Sequence, residues 1–303
     1  MRGPGKLLGA ASRKTQERML GWMLLLPCVV LLAVFAVYPF AKTIMLAFTN
    51  TAGYSRDEAI RFSLTNVKQM IRDRYFWESF GNTIWFAAIT VALQTLVGLL
   101  LALLANRVFR GQWLARAAIL LPWAMPPSVA AMAWRWMADY SYGLINDVLR
   151  RLSLSQAGVY FLGEAAYARW SLVALAVWKV SSFMSLLILA GLQSIPQELY
   201  EAASMDGAGK VRSFFSITLP LIRSTVLVAM LLRALQAVQV FDLPFALTDG
   251  GPGNATETMA MYIYKSAFIK VKPGLASAQS TVLLCLSVVM ALAYLVATSR
   301  EEG

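Results

Sequence analysis

The chain contains no histidine and only two cysteines. The first absence removes imidazole metal sites and His-dependent nucleophile triads. Cys28 and Cys285 both fall inside apolar runs and read as inert core thiols, not as a disulfide. Charge is also scarce. Only 14% of the 303 residues are charged, where a soluble domain carries about 25%. With 58% hydrophobic residues and a mean hydropathy of +0.60, the chain falls in the membrane class. It lacks a phosphate-cradling G-x-x-x-x-G-K-[ST] loop, so it is not expected to hydrolyse ATP. No span holds a carboxylate pair or a Cys–base pair, which argues against an intramembrane enzyme. No repeat relates 19–137 to 168–298, which argues against an ion-coupled carrier acting alone. No catalytic or metal-ligating residue is expected.

What is present is a series of uncharged runs long enough to cross a bilayer, which takes about 20 residues. Six spans are expected, near 19–41, 80–105, 114–137, 168–193, 224–247 and 275–298. The runs are continuous rather than alternating, so the fold class is an all-α polytopic membrane protein and not a barrel. The first run is longer than a signal-peptide core and lacks a small-residue cleavage site. Trp22, Tyr38, Trp77, Trp134, Trp136, Tyr140 and Trp170 near the span ends fit an aromatic belt.

The net charge of +11 is scattered through loops and tails. It reads as membrane orientation and lipid contact rather than nucleic-acid binding. The tail 1–18 carries Arg2, Lys6, Arg13, Lys14 and Arg18 against Glu17 alone. By the positive-inside tendency it is cytoplasmic, and six spans return the tail 299–303 to the same side. The segment 42–79, with six basic and four acidic residues, then falls outside as an interfacial helix or small folded loop.

The 194–223 segment is a polar, small-residue island between two spans. Ser194 with Gln197 has capping-box spacing, Pro196 suits a first turn, and Glu198 and Glu201 favour the helix dipole. A helix is expected to stop at Gly207, which tolerates a left-handed conformation. A second helix, Lys210 to Thr218, would end before Pro220. On the first helix Leu199, Ala202, Ala203 and Asp206 share a face. Small residues there admit a close partner, or the elbow packs on its own bundle. Phe214 and Phe215 offer apolar anchors.

The pattern Glu201-Ala202-Ala203, then Gly207, then Ile217, Leu219 and Pro220, resembles the EAA loop of the membrane subunits of binding-protein-dependent ABC importers. Leu192 through Pro196, Leu247 through Pro252 with Thr256, Pro122 through Arg135 with Gly143 and Asn146, and Tyr262 through Tyr264 with Ala267-Phe268 are similar to carbohydrate permeases. The resemblance implies a type I permease fold in a bacterial or archaeal cell membrane. It also implies a second related permease, an ATPase dimer holding ATP and Mg, and an extracytoplasmic sugar-binding protein. The 194–223 loop would seat in the ATPase through Glu201, Ala202, Ala203, Asp206, Gly207, Phe214, Phe215, Leu219 and Pro220. The chain lacks the extra spans and large external loop of maltose permease, which counts against maltose as substrate.

Charge inside a span marks a functional site by default. Lys179 lies ten residues beyond Arg169, about 15 Å and near mid-bilayer, and Arg233 lies ten beyond Arg223. Nine residues separate Arg233 from Asp242, which puts them on opposite sides of one straight helix, so Lys179 is the expected partner of Asp242. Such charges either bind substrate or lock packing. Ser182, Gln236 and Gln239 add hydrogen-bonding groups suited to sugar hydroxyls, and Phe183 a flat face suited to a ring. Lys179, Arg233 and Arg135 together also fit an anionic substrate such as glycerol 3-phosphate. Pro122, Pro126 and Pro127 are expected to break the third span, as a hinge or, by default, as a fixed kink.

Overall fold

The structure, a computed structural model, describes residues 5–51, 53 and 61–299. Arg2, Arg56, Asp57, Glu58 and the tail beyond Ser299 lie outside the described residues. The chain order is α1 (Gly5–Leu32), α2 (Tyr38–Ala47), α3 (Thr65–Arg72), α4 (Arg74–Asn106), α5 (Gln112–Ala124), α6 (Pro127–Met137) and α7 (Leu144–Arg151). There follow α8 (Ala165–Gln193), α9 (Gln197–Met205), α10 (Lys210–Ser213), α11 (Leu219–Val238), α12 (Asp242–Thr248), α13 (Met259–Tyr264) and α14 (Pro273–Ser299). Among the described residues the one strand-like pairing is a bridge between Thr49 and Phe62. Five helical stretches are long and apolar enough to cross a membrane, and there are six if the bent pair α5–α6 counts as one span.

All but the last of these helical stretches run past the first charge that bounds the uncharged run. The first covers Arg18–Ala47, with Lys42 inside it, and the second begins at Arg74. Arg74 Nε reaches Glu78 Oε1 at 2.7 Å one turn on, so two adjacent charges sit within a continuous helix.

Two spans are broken, in both cases by proline. The third bends by 94° between Ala124 and Pro127, far more than a kink. Met125 and Pro126 each precede a proline and take extended ψ values of 137° and 138°. Steric exclusion of the α region before proline requires this. The fifth does not run continuously to residue 247. Helix α11 ends at Val238, and α12 restarts at Asp242. Within one helix Pro244 would have met the carbonyl of Val240. The break puts Pro244 in a first turn instead, and the Val240 carbonyl accepts from Thr258 Oγ1 at 2.8 Å.

The parallel pair α4 and α8 forms the centre, with Asn82 beside Arg169 at one end and Gly98 beside Met184 further along. Phe86, Leu172, Val173, Leu175 and Ala176 are buried there, and Ala102, Ala105, Ile188, Leu192 and Ile222 fill the end nearer α9. Lipid-solvated helices gain little from the hydrophobic effect, so close packing of small residues carries their association. At Gly98 a Cβ would lie 2.6 Å from Met184 Cβ and 3.2 Å from the Ser185 nitrogen. A Gly98→Leu variant therefore forces α4 and α8 apart. Thermal melts of the purified chain in detergent should show a clear loss of stability, roughly 1–3 kcal/mol or more.

Large apolar side chains cover the outside of the bundle. On the first span Trp22, Leu24 and Phe35 are each more than two-thirds exposed. Cys28 and Cys285 are exposed free thiols and not core residues. In a membrane protein an apolar run faces lipid as readily as protein.

Candidate functional site

Two features of the expected site are spatially separate: an exposed elbow at one end of the bundle and a cavity among the helices.

In the elbow, α9 closes by a Schellman arrangement. Gly207 takes φ +76°, its N–H bonds the Ser204 carbonyl at 3.1 Å, and the Ala208 N–H bonds the Ala203 carbonyl at 2.9 Å. The start differs from expectation. Pro196 flanks α9, and no side chain caps it. Ser194 instead ends α8, its Oγ donating to the Gly191 carbonyl at 2.8 Å. The second arm also differs, because it does not end before Pro220. Helix α10 passes through one wide turn, Phe214–Thr218, straight into α11. There the Leu219 N–H bonds the Phe214 carbonyl five residues back. This widened turn lets Pro220, which has no N–H, enter a continuous helix.

Tyr200 and Thr218 share a hydroxyl–hydroxyl hydrogen bond of 2.9 Å that ties the two arms together. Glu201, Ala202, Asp206 and Gly207 are exposed, Ala203 is half-buried, and Met205, Val211 and Phe215 present apolar surface. Phe214 packs edge-on against Phe215 at 5.0 Å, and Leu219 and Pro220 are exposed beside them. An elbow folded onto its own bundle would bury this face, and here it stands free.

The cavity holds about 330 Å³ between α5, α6, α8, α11 and α12. Lys179, Arg233, Gln236, Gln239 and Asp242 line it, as does Trp123. The break after Val238 creates this arrangement, since it turns Asp242 off the α11 axis and toward the same space. Lys179 and Arg233 are 5% and 6% exposed. Lys179 Nζ donates to the Trp123 carbonyl at 3.2 Å. That carbonyl lies next to the α5–α6 bend. The expected pairing of Lys179 with Asp242 does not form: Asp242 is exposed on the cavity wall, and no ion pair to it occurs among the described residues.

Arg233 is held by neutral groups. Its Nε donates to Gln94 Oε1 at 2.7 Å and its Nη1 to Gln236 Oε1 at 2.9 Å. Gln94 is fully buried, and its Nε2 donates to the Ala176 carbonyl at 3.0 Å. One amide thus joins α4, α8 and α11. Three further sequence candidates lie off the cavity. Ser182 is buried within α8, Phe183 stacks on Trp123 at 5.4 Å, and Arg135 is exposed near the end of α6.

Gln94 and Trp123 were not singled out by the sequence. A search for charge inside spans passes over a neutral amide and an aromatic in an apolar run. The one available signal was a lone glutamine midway along the second span.

At the end opposite α9 the loop after α12 is pinned to the bundle. Asn82 Nδ2 donates to the carbonyls of Asn254 and Glu257, Arg169 Nε to Ala255, and Arg169 Nη2 to Asn82 Oδ1, all between 2.9 and 3.1 Å. Within the loop Thr256 bonds Thr248 at 2.6 Å and the Gly251 carbonyl at 2.9 Å. Nearby, Tyr262 donates to Asp73 and accepts from Lys270 Nζ. Burial and the neighbouring carboxylate push the Tyr262 hydroxyl well above the ordinary tyrosine range, so it stays a donor at physiological pH.

Comparison with known proteins accords with this geometry. Residues 94–300 match a family described as binding-protein-dependent transport system inner membrane component. The chain is 42% identical to the sulfoquinovosyl glycerol transport system permease protein SmoG of Agrobacterium fabrum, over 92% of this chain and 90% of that one. It is 39% identical to the trehalose/maltose transport system permease protein MalF of Thermococcus litoralis, over 83% of this chain and 84% of the relative. Among solved structures, a chain of a bacterial ABC transporter involved in import of the acidic polysaccharide alginate superposes with a TM-score of 0.81. It is 22% identical and is covered over 97% of this chain and 98% of its own. That likeness shows a shared fold.

Proposed function

The chain belongs to the binding-protein-dependent transport system inner membrane component family. From that premise we propose that it forms one half of the translocation pathway of an ATP-driven carbohydrate importer and couples to a separate ATPase through the 194–223 elbow. The observation that carries this reading is the exposed α9 face. Glu201, Ala202 and Asp206 project from a rigidly closed helix whose carbonyls and turn are already satisfied internally. Such a surface has little to do for its own bundle and suits a cleft on a partner.

In this reading the N-terminus and the elbow are cytoplasmic, following the basic N-terminal tail. The ATPase dimer binds ATP and Mg, and its closure moves α9. Helix α10, the widened turn and α11 carry that movement toward the Arg233 cavity as one continuous rod. A second, related permease completes the pathway. An extracytoplasmic binding protein delivers a small glycoside or di- or oligosaccharide, which the names of the two close relatives support.

The test is reconstitution of the chain with a second permease, an ATPase and a binding protein from the same source. Labelled sugar should accumulate in proteoliposomes only with ATP on the ATPase side and binding protein on the other. Transport by the purified chain alone, driven by an ion gradient and indifferent to ATP, would overturn the proposal.

A further inference from the structure

We infer that the Lys179–Arg233 cavity recognises an anionic substituent on the transported molecule, a carboxylate, sulfonate or phosphate on a sugar or polyol. This rests on the importer reading above and narrows its substrate class.

The inference follows from the sign of the buried charge. Lys179 and Arg233 sit on two different spans, are both more than nine-tenths buried, and face one cavity. A device that only locks helices together would set a cation against a carboxylate. This pair has the same sign, so packing alone would favour its separation. Arg233 meets two neutral amide oxygens and Lys179 one carbonyl. These acceptors satisfy donor geometry and leave the charge uncancelled. An ammonium has three donors, and among the described residues Lys179 uses one, leaving two for a ligand.

The other ionisable group on the cavity wall is Asp242. It belongs to α12, is exposed, and forms no ion pair with either cation. Two cations and one carboxylate leave the wall with one net positive charge. A neutral sugar would leave that charge uncompensated in a low-dielectric space, and an anionic group would neutralise it. The remaining lining suits the rest of such a molecule. Gln236 and Gln239 are exposed amides able to meet hydroxyls, and Trp123 offers an apolar face.

The experiment uses the complete transporter in proteoliposomes and compares labelled pairs that differ in one group: sulfoquinovosyl glycerol with glucosyl glycerol, a glucuronosyl with a glucosyl disaccharide, and glycerol 3-phosphate with glycerol. The anionic member of at least one pair should enter about tenfold faster or more, and Lys179→Met should cut that uptake by about tenfold or more. Lys179→Arg keeps the charge and should restore most of it. Lys179→Gln, polar and of similar length, should behave like Lys179→Met, which separates lost charge from lost packing.

Neutral members entering as fast as their anionic partners would overturn the inference. So would anion uptake unchanged in both neutral variants. Either result leaves the importer reading intact. That reading fails by a different outcome, uptake that needs no ATP.

Discussion

A Gly207→Pro substitution should abolish ATP-driven uptake while the chain still reaches the membrane. Gly207 holds φ +76° and donates its N–H to the Ser204 carbonyl. Proline fixes φ near −65° and has no N–H, so the closing turn of α9 cannot form. The damage is confined to an exposed elbow, because a side chain at this position would touch nothing within 4 Å. Glu201→Lys tests the same surface without backbone strain. Glu201 is exposed, so its reversal costs the fold little. At the proposed ATPase contact, a reversed charge in a desolvated cleft costs several kcal/mol, enough for loss of transport by two orders of magnitude or more. Uptake and ATPase rate, measured on complexes matched for subunit content, check both. Normal uptake by both assembled variants would remove the elbow from the coupling role.

Replacing Gln94 by leucine should be the most damaging single change in the bundle interior. Gln94 is fully buried, accepts from Arg233 Nε at 2.7 Å and donates to the Ala176 carbonyl at 3.0 Å. Leucine has similar bulk, so packing is nearly conserved and the loss is electrostatic. Arg233 keeps its charge and loses one of its two acceptors at a position only 6% exposed. Leaving a charged donor unmet in the interior costs about 3 kcal/mol or more. The expected result is a marked drop in thermal stability and a low yield of folded protein. Gln94→Glu, which restores an acceptor and adds a neutralising charge, should recover stability. By the inference above it should also weaken anion uptake, because it cancels the positive charge on the cavity wall. Equal stability of Gln94→Leu and the parent chain would show that Arg233 is solvated from the cavity and does not depend on the amide.

The sequence alone carried the class, the apolar stretches long enough to span and the helix–turn–helix elbow at 194–223 that we propose as the coupling surface. The physical reason is that these are local. A membrane span is a length of apolar chain, and a Gly207-type stop depends on one residue's backbone freedom. The same locality explains where reading by charge stopped short. Reading by charge stops the first span at Lys42 and starts the second after Glu78, although the helix continues through charges that lie at the interface or pair one turn apart, as Arg74 and Glu78 do. The cysteines were placed in a core because sequence does not tell a lipid-facing side from a protein-facing one.

What only the tertiary structure decided was how separated segments share space. Pro244 and the Pro126-Pro127 pair were visible, and each forbids one straight helix. The size of the 94° bend and the re-aiming of Asp242 depend on what the freed groups find: Thr258 for the Val240 carbonyl, Lys179 for that of Trp123. The partner of Lys179 was read as Asp242 because opposite charges in apolar spans usually pair. The fold set Lys179 beside Arg233 and gave Arg233 a glutamine from a helix 139 residues earlier in the chain. No local pattern encodes that meeting, because it arises from the packing of α4, α8 and α11 around one amide. The elbow was therefore legible from sequence, while the charge of the cavity emerged only when three distant spans were brought together.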